Sequence, residues 1–202
     1  DACDADAKAL GAVNTVVVCR GKAIGYNTDV AGFTRALKEL GRHSGPPHAA
    51  TILGAGGAAR AVAWVLSRTP RTRLTIANRH LERARQLARW LTRRRPRISV
   101  RVQPLHRVSQ ADQDLLVNAT SVGMRAGDPS PVDLTGCPKT LLVYDLVYHR
   151  VTPLVRQARR HGCVAQNGLA MLLYQGAEAF QLWTKRQPPI ETMRRALEKQ
   201  SR

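Results

Sequence analysis

Thr51-Ile-Leu-Gly-Ala-Gly-Gly-Ala-Ala-Arg60 opens as a short apolar run, breaks into clustered glycines and continues as alanine-rich helical sequence. A strand, a tight turn and a helix start in that order make a phosphate-binding turn. The first N–H groups of the helix lack partners within it, and the helix dipole favours an anion beside them. Gly54 allows the bend, Gly56 admits a pyrophosphate to the backbone with no Cβ in the way, and Ala59 lets the helix lie close to its strand. Ala55, Gly57 and Ala58 complete the turn. The same triplet also suits a strand-to-helix turn that binds nothing, so its surroundings decide. Leu74-Thr-Ile-Ala77 reads as the next strand, and it ends in Asn78-Arg79.

At that strand tip a carboxylate would accept hydrogen bonds from ribose hydroxyls and repel a 2′-phosphate, whereas a guanidinium grips the phosphate in bidentate fashion. Arg79 therefore points to NADP as cofactor, with Asn78 placed for the adenine ribose. The plainer alternative is that Arg79 is one more surface arginine among the chain's 26.

Outward from this unit, the sequence predicts a helix to residue 66, a strand at 73–77, a helix at 80–92 and a strand at 98–102. Asp114-Leu-Leu-Val-Asn118 and Thr140-Leu-Leu-Val-Tyr144 read as further apolar strands. This alternation specifies an α/β, Rossmann-like, doubly wound parallel sheet with covering helices. Such sheets bind ligands at the carboxyl ends of their strands, which singles out residues 54–58, 78–79, 118–124 and 145–148.

Toward the front, residues 13–19 and 23–26 flank Arg20-Gly-Lys22 and read as a hairpin. Val30, Phe33, Ala36, Leu37 and Leu40 recur at helical spacing, with Thr28 or Asp29 as N-cap and Gly41 as the stop. Gly45-Pro-Pro47 reads as a hinge. Toward the tail, Thr152-Pro-Leu starts a helix that runs to Arg160 before Gly162. Asn167-Gly168 precedes a long amphipathic helix through Trp183, and residues 190–199 form a last one. Met171, Leu172 and Tyr174 read as packing residues, whereas Gln175, one turn beyond Met171, is placed to look into a cleft.

A hydrophobic fraction of 44% over 202 residues supports one large domain, or a dinucleotide-binding domain with an appendage. The formal charge of +18 raises nucleic acid or an acidic membrane as partner. Yet 26 of the 32 basic residues are arginines scattered over several helices, and the densest run, Arg93-Arg-Arg-Pro-Arg97, has no interleaved aromatics. An arginine-rich surface is thus expected rather than nucleic-acid binding. Cys3, Cys19, Cys137 and Cys163 lie far apart without Cys-x-x-Cys spacing, so neither a disulfide framework nor a metal site is expected, and a reducing cytoplasm fits. His149 and His161 are isolated. No stretch approaches the length of a membrane span, and the acidic start lacks an apolar targeting core. Because the methionines are Met124, Met171 and Met193, the reading frame is expected to begin upstream of Asp1.

Several motifs in one order resemble the shikimate dehydrogenase family. They are Gly11-Ala-Val-Asn-Thr15, Gly25-Tyr-Asn-Thr-Asp29, Gly54-Ala-Gly-Gly-Ala58, Asn78-Arg79 and Asn118-Ala-Thr-Ser121. Tyr144-Asp-Leu-Val-Tyr148 with Thr152-Pro153, and Asn167-Gly168 through Gln175 to Trp183-Thr184, complete the series. The resemblance spans nearly the whole chain and implies NADPH-dependent reduction of 3-dehydroshikimate to shikimate in aromatic amino acid biosynthesis. It further implies that Asn14, Asp29 and Gln175 hydrogen-bond the substrate hydroxyls, with Tyr148 near the same cleft. Asp29 would be half of an acid/base pair, since hydride transfer to a ketone leaves an alkoxide that needs a proton. Asn118, Thr120 and Ser121 would lie beneath the nicotinamide half, and the Gly168 backbone would contact the nicotinamide. The implied division is 1–28 for a remnant of the substrate domain, 29–166 for the NADP-binding domain and 167–202 for helices returning to the substrate domain.

One departure stands out. The family's paired serines for the substrate carboxylate and the lysine that partners the aspartate have no counterpart, and neither Lys8 nor Lys22 stands in the lysine's motif. The sequence leads us to expect a chain that binds NADP(H) but turns over shikimate poorly. Its hairpin and C-terminal helices would expose apolar surface and a strand edge to a second copy or to a separate front domain. The alternatives are a quinate/shikimate dehydrogenase paralogue and a non-catalytic NADP-binding module that pairs with such a front domain.

Overall fold

A computed structural model describes residues 1–41, 46–69, 71–109 and 113–200, apart from the side chain of Gln200. Gly45, part of the expected hinge, lies outside the described residues.

Residues 1–26 carry a three-stranded sheet. Strands β2 (Thr15–Cys19) and β3 (Lys22–Tyr26) form the expected antiparallel hairpin, and β1 (Ala2–Cys3) pairs parallel to the other side of β3. Between β1 and β2 lies helix α1 (Ala5–Leu10), capped by Asp4, whose carboxylate accepts from the Ala7 N–H at 2.7 Å. Two residues of strand and six of helix carry too little periodicity to be read from sequence. Helix α2 (Thr28–Leu40) follows the hairpin.

The larger sheet holds β4 (Ala49–Leu53), β5 (Arg73–Asn78), β6 (Ser99–Pro104), β7 (Leu115–Asn118), β8 (Leu142–Asp145) and β9 (Val164–Gln166). All its pairings are parallel, in the spatial order β6-β5-β4-β7-β8-β9. Helices α3 (Gly57–Leu66), α4 (Leu81–Arg94), α5 (Pro153–Arg160), α6 (Leu169–Thr184) and α7 (Ile190–Gln200) complete the chain. The expected helix at 80–92 extends to Arg94 and so takes in part of the arginine run. Strand β9 has no signature in the sequence, because three residues cannot display a two-residue period.

Alternation along the central strands divides the core into two layers. Ile52, Leu115, Val117, Leu142 and Tyr144 face the cluster built with α2, α3, α4 and α6, while Leu53, Leu116 and Val143 face one built with Leu154, Val155 and Ala158 of α5. Both faces are therefore covered, as a parallel sheet requires. Leu116 is wholly buried, and truncating such a residue to alanine costs about 2–5 kcal/mol.

The register brings the business end of the sheet level. Leu53 stands opposite both Ala77 and Asn118, and Asn118 stands opposite Asp145. From β4 the chain winds outward through β5 to β6, then crosses back to β7 on the other side. The connections above β4 and β7 thus diverge and leave a crevice at their carboxyl ends.

Candidate active site

The glycine turn leaves β4 at this switch point and is pinned on both sides. The Gly54 N–H donates to the Ala77 carbonyl at 2.8 Å, and the Ala119 N–H donates to the Leu53 carbonyl at 2.8 Å. Gly54 adopts φ +107°, and a Cβ there would lie 2.7 Å from the Ala119 carbonyl oxygen, so the turn presses on the loop after β7. Gly56 and Gly57 differ: a Cβ on either would meet nothing within 4 Å. Gly56, Gly57 and Ala58 are exposed, Ala55 is half-buried, and Gly56 stands at the N-cap of α3 with no side-chain cap. Uncapped N–H groups facing open space at a helix N-terminus are what a pyrophosphate needs, so this cradle fits a dinucleotide.

Arg79 lies at the tip of the adjoining strand, exposed, with no carboxylate within ion-pair distance among the described residues. Asn78, half-buried beside it, donates from its amide to the His80 carbonyl at 2.9 Å. The guanidinium is thus free to meet a phosphate.

Across the crevice, Asn118 takes a different place from a surface contact. It is wholly buried, and its amide is saturated: Nδ2 donates to the Val122 carbonyl and to Asp145 Oδ1, while Oδ1 accepts from the N–H and the hydroxyl of Thr120. Asn118 shapes the 118–124 loop from inside and leaves half-buried Thr120 and exposed Ser121 toward the crevice side of the sheet.

Asp145 lies in the segment 145–148 that the sequence singled out, but no role for it could be read there. It is wholly buried, and it accepts from Asn118 at 2.9 Å, the Val147 N–H at 3.1 Å and the Thr152 hydroxyl at 2.6 Å. Burial pushes its carboxyl above the ordinary value, against the pull of those three donors. An acid ending an otherwise apolar strand was the available signal.

The next turns of chain close the arrangement. The Gly168 N–H donates to the Val147 carbonyl at 3.0 Å, and a Cβ on Gly168 would lie 2.2 Å from the Leu146 oxygen, so glycine is obligatory there. The Asn167 amide donates to the carbonyls of Tyr148 and Arg150. Tyr148 is exposed and packs edge-on to His149, whose Nε2 meets the Met124 carbonyl at 2.9 Å.

The hairpin supplies the other half. Asn14 Nδ2 donates to Asp29 Oδ1 at 3.0 Å, while Asn14 Oδ1 accepts from the N–H and hydroxyl of Thr28 and the hydroxyl of Thr15. The N-cap position of α2 is Asn27, without a side-chain bond, rather than the expected Thr28 or Asp29. Asn14 reaches across from the hairpin to satisfy the helix N-terminus, and that leaves the Asp29 carboxylate available for chemistry. Burial raises the Asp29 carboxyl above its ordinary value, and the Asn14 amide opposes the shift. Gly32 lies three residues on, along the same helix face, and a Cβ there would be 2.9 Å from Gln175 Cβ. This close approach of α2 and α6 sets Gln175 beside the face that carries Asp29.

Residues 36–125 match the family described as shikimate / quinate 5-dehydrogenase, and residues 168–198 match the shikimate 5'-dehydrogenase C-terminal domain. A shikimate dehydrogenase (NADP(+)) of Methanopyrus kandleri is 41% identical over 206 residues, which take in 98% of this chain and 70% of that protein. The chain belongs to the shikimate/quinate dehydrogenase family. Among solved family members, the shikimate 5-dehydrogenase of Thermus thermophilus in complex with NADP(H) and shikimate has a TM-score of 0.81 and 37% identity, covering 98% of this chain and 72% of that one. The quinate dehydrogenase of Corynebacterium glutamicum in complex with NAD has a TM-score of 0.90 and 33% identity, with 98% and 72% covered. The family thus includes relatives crystallised with either dinucleotide, which gives the strand tip at Arg79 its diagnostic weight.

Proposed function

We propose that this chain serves an NADP-dependent shikimate dehydrogenase, reducing 3-dehydroshikimate to shikimate with NADPH. The observation that carries the reading is the uncapped, open glycine turn at the switch point, with Arg79, unpaired among the described residues, at the neighbouring strand tip. The N–H groups of Gly56, Gly57 and Ala58 would hold the pyrophosphate, Arg79 the 2′-phosphate and Asn78 the ribose, while Thr120, Ser121 and the Gly168 backbone border the nicotinamide end. When bound, the nicotinamide supplies the hydride.

This chain's residues then position substrate and manage a proton. Asn14, Gln175 and Tyr148 would orient hydroxyl groups, and Asp29 would hold a proton at its carboxyl and give it up to the substrate oxygen, directly or through a relay, as hydride reaches the carbonyl carbon. Burial raises the affinity of Asp29 for protons above that of an ordinary carboxylate, the direction that suits a proton donor. Among the described residues its hydrogen-bond partner is the Asn14 amide, which cannot relay a proton as an amine would. The 202 residues alone are therefore expected to bind NADP(H) and to turn over shikimate about 10²–10⁴-fold below a complete acid/base pair. Calorimetry with NADP+ and NAD+, paired with a steady-state shikimate assay, tests both halves. A preference for NAD+ refutes the cofactor reading, and full turnover refutes the missing relay.

A second reading, quinate as substrate, is supported by the likeness to the quinate dehydrogenase; a higher kcat/KM for quinate than for shikimate would favour it. A binding module without chemistry predicts that adding a family front domain restores no shikimate turnover, whereas restored turnover supports the enzyme. The division at 1–28, 29–166 and 167–202 stands as part of this proposal, as does the exposed edge strand β2, with Val16 and Val18 outward, as the place where a front segment or a second copy pairs. Among the described residues no helix is long and apolar enough to cross a membrane, and no cluster of His, Cys, Asp or Glu could hold a metal. Cys137 and Cys163, far apart in the sequence, meet in the fold with their sulfurs 3.4 Å apart; a cytoplasmic setting stands as part of this proposal.

A further inference from the structure

The arginine run between α4 and β6 has no part in the crevice, yet the fold gives it a definite place. Arg94, Arg95 and Arg97 meet Arg68 and Arg71 around a cavity of about 640 Å³, with no acidic residue in its lining. It opens where β5 and β6 begin, at the amino ends of the strands, whereas the glycine turn lies at their carboxyl ends. Sequence alone showed no aromatics in the run, but tertiary folding supplies them. Arg95 and Arg68 lie over the Trp64 ring at 4.7 and 5.1 Å, and Arg94 lies over Trp90 at 5.1 Å. The two indoles pack 6.1 Å apart, and Trp64 is fixed by its N–H bond to Asp6 at 2.9 Å.

Charge is left over at this place. Arg68 pairs with Asp6, but Arg71, Arg94, Arg95 and Arg97 have no carboxylate partner among the described residues. The C-termini of α3 and α4 point here and offset roughly half a charge each. About three positive charges remain uncompensated around one concavity. Arg95 also buries its Nε without a hydrogen-bond acceptor among the described residues, so its guanidinium is held in place without its charge being met. Stacking on indole faces holds the guanidiniums in place before any ligand arrives, which lowers the ordering cost of binding.

We propose that this cavity is a second anion site that takes a small polyphosphate, a di- or triphosphate group. The volume suits a small molecule, and the walls formed by residues 67–69, 71–72 and 94–98 make a bowl rather than the extended stripe a nucleic acid would track. Guanidinium forks match phosphate oxygens in bidentate fashion.

The test is calorimetric titration of the full chain, first saturated with NADP+ so that the glycine turn is filled, with sodium tripolyphosphate, ATP, orthophosphate and a single-stranded DNA oligomer. Saturable one-to-one binding of tripolyphosphate is expected, tighter than orthophosphate and weakened by salt. ATP binding equally identifies the phosphate chain as the recognised group; ATP binding more tightly adds its nucleoside. Arg71 has φ +62°, a conformation glycine prefers, so Arg71→Gly removes charge without straining the backbone. Combined with Arg97→Gln it should weaken tripolyphosphate at least about tenfold, while the distant Arg107→Gln leaves it unchanged. Absence of saturable binding, equal weakening by all these variants, or tighter binding of DNA than of tripolyphosphate would each overturn the proposal.

Discussion

Gly54 and Gly56 stand two residues apart in one turn, and replacing each with alanine should have opposite consequences. At Gly54, φ +107° costs an L-residue about 1–3 kcal/mol. The new Cβ would lie 2.7 Å from the Ala119 oxygen and 2.9 Å from its carbonyl carbon, backbone atoms that cannot rotate away. Overpacking of that kind costs about 1–3 kcal/mol more, so Gly54→Ala should lower unfolding free energy by about 2–6 kcal/mol. Gly56 has φ −89° and ψ −166°, an ordinary extended conformation, and its Cβ would meet nothing within 4 Å. The small loss of alanine against glycine at an N-cap is offset by reduced freedom of the unfolded chain, leaving stability within about 1 kcal/mol. Cofactor affinity should nevertheless fall, because the methyl group occupies the space through which the backbone N–H groups reach a pyrophosphate. Loss of one charge-assisted hydrogen bond, about 1.5–3 kcal/mol, raises Kd about 10–150-fold. Urea denaturation and NADP+ calorimetry on both variants provide the measurements. If Gly56→Ala binds NADP+ within about threefold of the parent, the turn is a structural bend and nothing more.

Arg79→Asp should weaken NADP+ by about 10–150-fold through loss of a charged hydrogen bond while sparing NAD+; an unchanged NADP+/NAD+ ratio in calorimetry would show that Arg79 does not meet the phosphate. Asn14→Ala removes the hydrogen bond that opposes desolvation at Asp29, so a carboxyl NMR titration should show the Asp29 pKa rising further, and a fall would contradict the geometry. The linkage sign follows from the raised folded value: both states hold the proton below 3.8, the unfolded chain ionises first as pH rises, and stability is lost as pH passes the folded pKa. Asp29→Asn should therefore flatten that part of the stability profile measured by urea denaturation, and a steeper loss would refute the assignment. Asp145→Asn turns one acceptor of a three-donor site into a donor, which should cost about 1–3 kcal/mol in urea unfolding; a cost below about 0.5 kcal/mol would mean that the network can reorganise.

Much of this molecule was legible in the residues taken in order. Apolar strands, glycine punctuation and helical periodicity are local patterns, so they disclosed the α/β class, the hairpin, the glycine turn and the tip at Asn78 and Arg79. Short pieces such as β1, α1 and β9 escaped because they hold too few residues for a period to repeat. Long-range partners escaped for a different reason. Asn14 caps α2 from 14 residues away, and Asp145 braces Asn118 across 27 residues. Trp64 and Trp90 come beneath an arginine run that contains no aromatic residue.

Sequence by itself determined the longer strands and helices and the glycine turn between them, since backbone preference and hydrophobic period act between neighbours in the chain. Only the tertiary structure decided that Asn118 braces the loop from within, that Asp29 is spared from capping and that the arginines surround a cavity. Burial and hydrogen-bond partnership depend on distances in space, and those exist only after the sheet has closed its register.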